Sequence, residues 1–476
     1  MSTSKDMPLF DALKKYVGLE FLPFHMPGHM GGKVFPADFG KLMIEFDLTE
    51  LPDLDNLYNP SGAIDEAQKK AAIAFGAAYT FFLVNGSTAG IHAMIAGTLK
   101  AGDKLIIPRN CHRSVIAAMA LWDIKPVYIK NEYSQEHAFM LPISPGQVLQ
   151  AFEDHPDAAG VLIMNPDYYG VCGNISEIGK IAKTFGKLLL VDEAHGAHLP
   201  FHKDLPTSAA FADADIWVQS AHKTLPAFTQ AGFLHIKGNR VDKNRVLKTL
   251  SLFQTSSPSY MLMASLDWAR SFMEVYGYKR LDEIINSIQN ITSELRSRWG
   301  IKTIGDYGLK GHIFAIDPTR LCLDFGTRNI TGYNALKKLR ELKVEPEMGD
   351  FHRLVFICTV AHDSNALNRL HEKIDSICEF SHENKPLSAF PAMYDSLPIQ
   401  IMSPRQAFNS IIENVPLLLS EGRVCGEAIG AYPPGIPRFC PGELIDQEGI
   451  EELLAIKSLG GNLFGLSVGG LVSVVK

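Results

Sequence analysis

From residue 61 to residue 236 the chain alternates short apolar runs with segments of helical periodicity. The apolar runs fall at 81–84, 105–107, 127–129, 161–164, 188–191, 216–218 and 233–236. Helical patterns stand between them at 88–99, 114–122, 144–152 and 175–185, after an Ala-rich amphipathic segment at 64–78. Runs this short and this uniformly apolar are buried on both faces, and the intervening helices supply the cover. The pattern predicts an α/β fold built on a mostly parallel sheet. Ser144 followed by Pro145 reads as a helix start. The hydroxyl caps an open N–H, and proline at the first helical position has no N–H to lose. Ligands of such sheets bind beyond the carboxyl ends of the strands, so the residues just after the apolar runs are the ones to inspect.

Beyond the sheet, long helical patterns at 260–299 connect to a unit with both strand and helix patterns at 311–380. Residues 383–388 are mostly polar, with Asn384, Lys385 and Pro386, and read as a linker. A small C-terminal unit follows, with a Pro/Gly-rich stretch at 432–437 and a Gly-rich apolar tail at 463–475 that reads as packed. The expected organisation is an N-terminal arm over 1–60, a large cofactor-binding domain over 61–305, a small α+β domain over 306–382 and a C-terminal domain over 383–476. The formal net charge of -7, with no long basic run, argues against a nucleic-acid or anionic-membrane partner. Seven cysteines without a CxxC pair suit a reducing compartment. Residues 1–9 have no apolar signal core, and no apolar run approaches the length that spans a bilayer. These features predict a cytoplasmic protein with no membrane partner.

Four strand ends carry chemistry-bearing residues. After the first run comes Asn85-Gly86-Ser87-Thr88, opening a helix. Backbone N–H groups at a helix start, with the Ser87 and Thr88 hydroxyls, suit a phosphate; an ordinary N-cap is the alternative. The absence of a GxGxxG or Walker pattern turns the reading away from dinucleotides and nucleoside triphosphates. After the second run comes Arg109-Asn110-Cys111-His112, where His112 can stack on a flat aromatic cofactor or simply start a helix. After the fifth comes Asp192-Glu193-Ala194-His195. A carboxylate there can hold a protonated ring nitrogen, as pyridoxal-phosphate enzymes require for their electron sink. His195 and His198 have a spacing that could ligate a metal, but no further ligand cluster stands at a recognised spacing. After the sixth comes Ser220-Ala221-His222-Lys223, and a lysine at a strand end beside Ser and His is a Schiff-base candidate. Phosphate cup, strand-end Asp and lysine, in that order, point to pyridoxal phosphate with Lys223 as its anchor.

These residues resemble the bacterial ornithine/lysine/arginine decarboxylases of the aspartate-aminotransferase fold, fold type I of the pyridoxal-phosphate enzymes. The resemblance rests on Phe24-His25-Met26-Pro27-Gly28-His29, residues 109–114, residues 192–196, Ser220 to Lys223, Thr255-Ser256-Ser257-Pro258 and residues 432–442. It runs from residue 24 to about 445 and looks like the short form, without an N-terminal wing domain. It implies a seven-stranded, mostly parallel sheet with smaller α+β C-terminal domains. It also implies roles: Lys223 anchors the cofactor; Ser87, Thr88, Ser220 and His222 hold its phosphate; His112 stacks on the ring; Asp192 pairs with the ring nitrogen; and Ala194 packs beneath. Thr255 would reach the phosphate of a neighbouring subunit, so a homodimer or larger homo-oligomer with shared sites is implied. Glu347, with Asp350 second, would receive the distal cation of the substrate. The chain departs from the long lysine enzymes at His195, where they carry Trp, and Pro346 and Met348 also differ from the expected forms.

The implied reaction is α-decarboxylation of a basic L-amino acid, arginine to agmatine first, with lysine to cadaverine or ornithine to putrescine as alternatives, and a place in polyamine biosynthesis. Two rivals differ in class. One is another pyridoxal-phosphate reaction, such as transamination or elimination. The other is a non-catalytic cofactor-binding protein, which would be expected to lose Lys223 or Asp192; both are present.

Overall fold

The structure is a computed structural model that describes residues 7–309, 311–379, 396–432, 435–467 and 469–476. The linker read at 383–388, the first six residues, and Pro433 and Pro434 of the Pro/Gly-rich stretch lie outside the described residues.

The seven apolar runs form one sheet: β1 (Tyr79–Leu83), β2 (Lys104–Pro108), β3 (Lys125–Ile129), β4 (Ala158–Met164), β5 (Leu188–Asp192), β6 (Ile216–Gln219) and β7 (Gly232–Ile236). Their spatial order is β1-β7-β6-β5-β4-β2-β3. Only β7 runs against the others, pairing antiparallel with both β6 and β1. The period-2 geometry of a strand divides each apolar run between two cores. Leu105, Ile107, Leu162, Leu190, Ile216 and Val218 enter one core with helix residues such as Ile91, Met94 and Val115. Ile106, Val161, Ile163, Leu189, Val191 and Trp217 enter the other with Val148, Phe152 and Ile178. Each large side chain taken fully out of water in this way contributes roughly 1.5–3 kcal/mol.

The covering helices include α1 (Gly86–Thr98), α2 (Arg113–Trp122), α3 (Pro145–Asp154), α4 (Ile175–Thr184) and α5 (Lys243–Phe253). Ser144 caps α3 as expected, in a reciprocal capping box with Gln147. The helical stretch from residue 260 divides into α6 (Tyr260–Phe272) and α7 (Tyr278–Trp299), joined through a π-helical turn at Met273–Gly277.

The second unit is a four-stranded sheet in the order Lys302–Thr303, Arg320–Asp324, Arg353–Ile357, Met348–Gly349, backed by helices Gly332–Glu341 and Ser364–Glu379. The N-terminal arm belongs to this unit by packing. Its strand Leu22–Phe24 pairs parallel with Val344–Pro346, and Leu22, Phe24 and Met30 share a core with Ile284, Ile288 and Leu354. In the C-terminal unit the tail strand Leu471–Val475 pairs with Ile412–Pro416, burying Val472 and Val474. All seven cysteines are buried and free. Among the described residues no helix is long and apolar enough to cross a membrane.

Candidate active site

The carboxyl ends of β4, β5 and β6 open into a cavity of about 290 Å³. The large domain contributes Ser87, His112, Asp192, Ala194, His195 and Lys223 to its lining. The second unit adds Tyr333, Asp350 and Arg353, and the C-terminal unit adds Ala431, Ile436 and Ile456.

The first turn of α1 forms one wall. Asn85, not Ser87 or Thr88, is the N-cap residue, and no side chain caps the helix. The Asn85 amide donates instead to the Phe253 carbonyl at 3.0 Å. Gly86 takes φ +71°, a left-handed conformation that turns the chain from β1 into the helix. The positive end of α1 is thereby left open toward the Ser87 and Ser220 hydroxyls, which are 2.8 Å apart.

Asp192 ends β5 in the interior, with 3 % of its surface exposed. It accepts one hydrogen bond, from the Ala194 N–H at 3.1 Å, and has no ion-pair partner among the described residues. Burial pushes its carboxyl above the usual carboxylate range, while the Lys223 charge pulls it back. Lys223 sits on the short helix Ala221–Thr224 directly after β6. Burial pushes its amine down to about 8, with the Asp192 charge opposing. His195 stands between the domains, with Nε2 2.9 Å from the Lys223 Nζ and Nδ1 accepting from Arg320 at 3.1 Å. His222 points its Nδ1 at the Ala231 carbonyl, 3.0 Å away. His112 caps α2, its Nδ1 accepting from the Ser114 N–H.

The cavity therefore gathers Ser87, His112, Asp192, Ala194, His195 and Lys223, with Ser220 bonded to Ser87. Thr88 is exposed at the start of α1. Thr255 does not line the cavity; its carbonyl accepts from the Tyr58 hydroxyl and its Oγ1 from the Ser257 N–H. Glu347 lies behind the lining, with Oε1 accepting from Tyr168 and Oε2 from the Met26 N–H at 3.0 Å. Asp350 lines the cavity, but Oδ2 is bound by the Arg353 Nε and the Tyr169 hydroxyl, each at 2.9 Å. His198 turns away from His195 to meet Asp317 at 3.0 Å. Among the described residues no group of three or more His, Cys, Asp or Glu could hold a metal ion.

Sequence reasoning missed Asp167, Tyr168 and Arg320. Asp167 follows β4 and was within reach of the strand-end rule applied at the other strands. Arg320 begins a strand of the second unit, and nothing local marks it as a neighbour of His195.

The donor set suits pyridoxal phosphate on its own terms. A buried carboxylate without an ion-pair contact, an amine of lowered basicity and an uncapped helix end beside two hydroxyls line one cavity. The architecture is that of the pyridoxal-phosphate enzymes of fold type I. The lysine decarboxylase of Francisella novicida superposes with a TM-score of 0.80 at 19% identity, covering 100% of this chain and 79% of that one. The Orn/Lys/Arg decarboxylase major-domain model matches residues 7–326, and the C-terminal-domain model of the same family matches residues 388–467. The arginine decarboxylase of Bacillus subtilis (strain 168) is 36% identical over 452 residues, which is 94% of this chain and 92% of that protein. The inducible lysine decarboxylase of Escherichia coli (strain K12) is 24% identical, and only 75% of its length is covered. This chain belongs to the Orn/Lys/Arg decarboxylase family, whose members are pyridoxal-phosphate-dependent carboxy-lyases.

Proposed function

We propose that this protein binds pyridoxal phosphate and decarboxylates L-arginine to agmatine and carbon dioxide, in the cytoplasm, as a step toward polyamines. The observation that carries the reading is that buried Asp192 and Lys223 line one cavity at the ends of adjacent parallel strands, close enough for each charge to act on the other. Arginine ranks first because of the 36% identity to the Bacillus subtilis arginine decarboxylase across nearly the whole chain. Lysine to cadaverine and ornithine to putrescine are the alternatives.

In this reading Lys223 holds the cofactor covalently, and Ser87, Thr88, Ser220 and His222 bind its phosphate at the positive end of α1. Asp192 keeps the ring nitrogen protonated, a role its lone, buried carboxylate suits. His112 covers one face of the ring, with Ala194 beneath and His195 beside the lysine. The cofactor supplies the sink for the electron pair left when carbon dioxide departs. The protein supplies orientation and exclusion of water, and Lys223 or a neighbouring histidine returns a proton to the α-carbon. Glu347 reads the distal cation through the edge of the cavity. Thr255 serves the phosphate of a neighbouring copy, since it stands outside the cavity of its own chain. The exposed Leu9, Phe10, Leu13 and Val17 of the N-terminal helix supply apolar surface for a homodimer or larger homo-oligomer.

The test is one assay of the purified protein with pyridoxal phosphate against arginine, lysine and ornithine, with product identification and the sedimenting species measured in the same buffer. Agmatine from a dimer or larger species is the expected result. No amine from any of the three substrates would overturn the reaction, and full turnover by a monomer would overturn the shared site.

A further inference from the structure

Among the described residues, Asp192, Glu347, Asp350 and Asp167 stand in or beside the cavity, and their partners separate them. Asp192 shares the cavity with the Lys223 amine, whose charge acts on it. Glu347 already accepts on both oxygens, from Tyr168 and from the Met26 N–H. Asp350 is compensated by Arg353, whose two other nitrogens donate to the His137 and Ala138 carbonyls at 2.8 and 2.6 Å. Asp167 differs. Its Oδ1 accepts from the Tyr169 and Val171 N–H groups at 2.9 and 2.8 Å. Its Oδ2 has no hydrogen-bond or ion-pair partner among the described residues, and the residue lines the cavity.

We infer that Asp167 is a specificity-determining residue that receives the cationic end of a basic amino acid, and that it, rather than Asp350, completes the charge recognition begun by Glu347. This rests on the decarboxylase reading above. The turn carrying Asp167 comes off β4, so the strand fixes its position, and the two backbone N–H donors fix the carboxylate plane. The next residue, Tyr168, bonds Glu347 and packs its ring 4.8 Å from that of His195. Asp167 and Glu347 therefore flank one tyrosine, on the side of the cavity toward the second unit. The Tyr169 and Phe139 rings lie close by. Burial holds the Asp167 carboxyl up at about 7 despite its N–H donors and the Arg320 and Arg353 charges. A carboxylate so poorly solvated gains more from an arriving cation than one already paired. A guanidinium or an ammonium would satisfy Oδ2, and a neutral side chain would not.

Asp167→Asn separates the idea from its rivals, because the amide oxygen can still accept from both N–H groups while the charge is lost. With arginine, lysine and ornithine as probes, the KM for the preferred substrate should rise on the order of tenfold or more, with kcat little changed. The preference for that substrate over norleucine should fall by a similar factor. Cofactor absorbance should match the parent. Unchanged KM and unchanged preference would overturn the assignment. A fall in kcat alone would also overturn it, since it would place the carboxylate at the reacting centre. A parent enzyme that turns over none of the three would instead sink the decarboxylase reading before the variant is examined.

Discussion

At the scale of single residues, the surroundings of His195 and Lys223 favour the neutral form of the lysine amine. A guanidinium has no acceptor, so Arg320 must donate to the His195 Nδ1, and the ring proton then resides on Nε2. The Nε2 stands 2.9 Å from the Lys223 Nζ, so the neutral form of the amine can accept that proton. Desolvation favours the neutral forms of both groups, taking the amine from the ordinary 10.5 to about 8 and holding His195 well below its usual range, so that the neutral amine is a readily reached minority at neutral pH. Only a neutral amine attacks an aldehyde, and at neutral pH this depression raises the neutral fraction on the order of a few hundredfold. Capture of pyridoxal phosphate by the apoprotein, followed in the visible, should therefore accelerate with pH and level off just above about 8. A rate that keeps climbing toward about pH 10 would show an ordinary lysine. Lys223→Ala should remove the covalent capture at every pH.

Among the elements, the N-terminal arm does more than its Pro/Gly composition suggests. The segment around Phe24 to His29 threads between the Lys223 turn and the second unit. The Gly28 N–H donates to the His222 carbonyl at 2.8 Å, and Thr359 donates to the Gly28 carbonyl at 2.7 Å. A Cβ at Gly28 would meet the Leu225 carbonyl oxygen at 2.9 Å and the Thr224 carbonyl carbon at 3.2 Å, both backbone atoms that cannot rotate aside. Gly28→Ala should therefore cost about 1–3 kcal/mol of stability by overpacking and loosen cofactor binding, because the displaced partner is the lysine turn itself. Equilibrium dialysis of the cofactor, with a denaturation midpoint, would check both; no change in either would show that the turn yields freely. The strands and helices of the large sheet were legible because each signal is local: an apolar run, a cap at Ser144, a periodic face. The reversed direction of β7 was not, since its residues read like any buried strand and only its pairing with β1 and β6 reverses it. The same limit governs the site. Lys223, Asp192 and Ser87 follow strands of one sheet, whereas Arg320 and the compensation of Asp350 by Arg353 arise from tertiary packing.

For the whole molecule, a buried ion pair helps fasten the C-terminal unit to the cavity wall. Arg109, which follows β2, reaches Glu443 through two nitrogens at 2.5 and 2.8 Å and the Arg438 carbonyl at 2.7 Å. Both side chains are nearly sealed from solvent, at 3% and 1% exposure. Glu443 also accepts from the Cys440 N–H at 2.7 Å, so its carboxylate orders its own loop as well as the joint. Asn110, Cys111 and His112 continue from Arg109 into the cavity lining, and Ala431, Ile436 and Ile456 close it from the other side. The sequence motif beginning at Arg109 thus combines a docking residue with cavity residues. Glu443→Leu would strand a buried guanidinium, and a loss of about 3–5 kcal/mol is expected. Arg109→Met would strand the carboxylate at similar cost. Replacing both by apolar side chains should cost less than the two single changes added together, because neither charge is then left unpaired. Urea unfolding of the parent, the two single variants and the double variant gives the coupling directly. The single variants should also raise the KM, since the cavity wall moves with the joint. Additive losses in the double variant would show that the C-terminal unit is held by its apolar contacts, and that Arg109 serves the cavity wall alone.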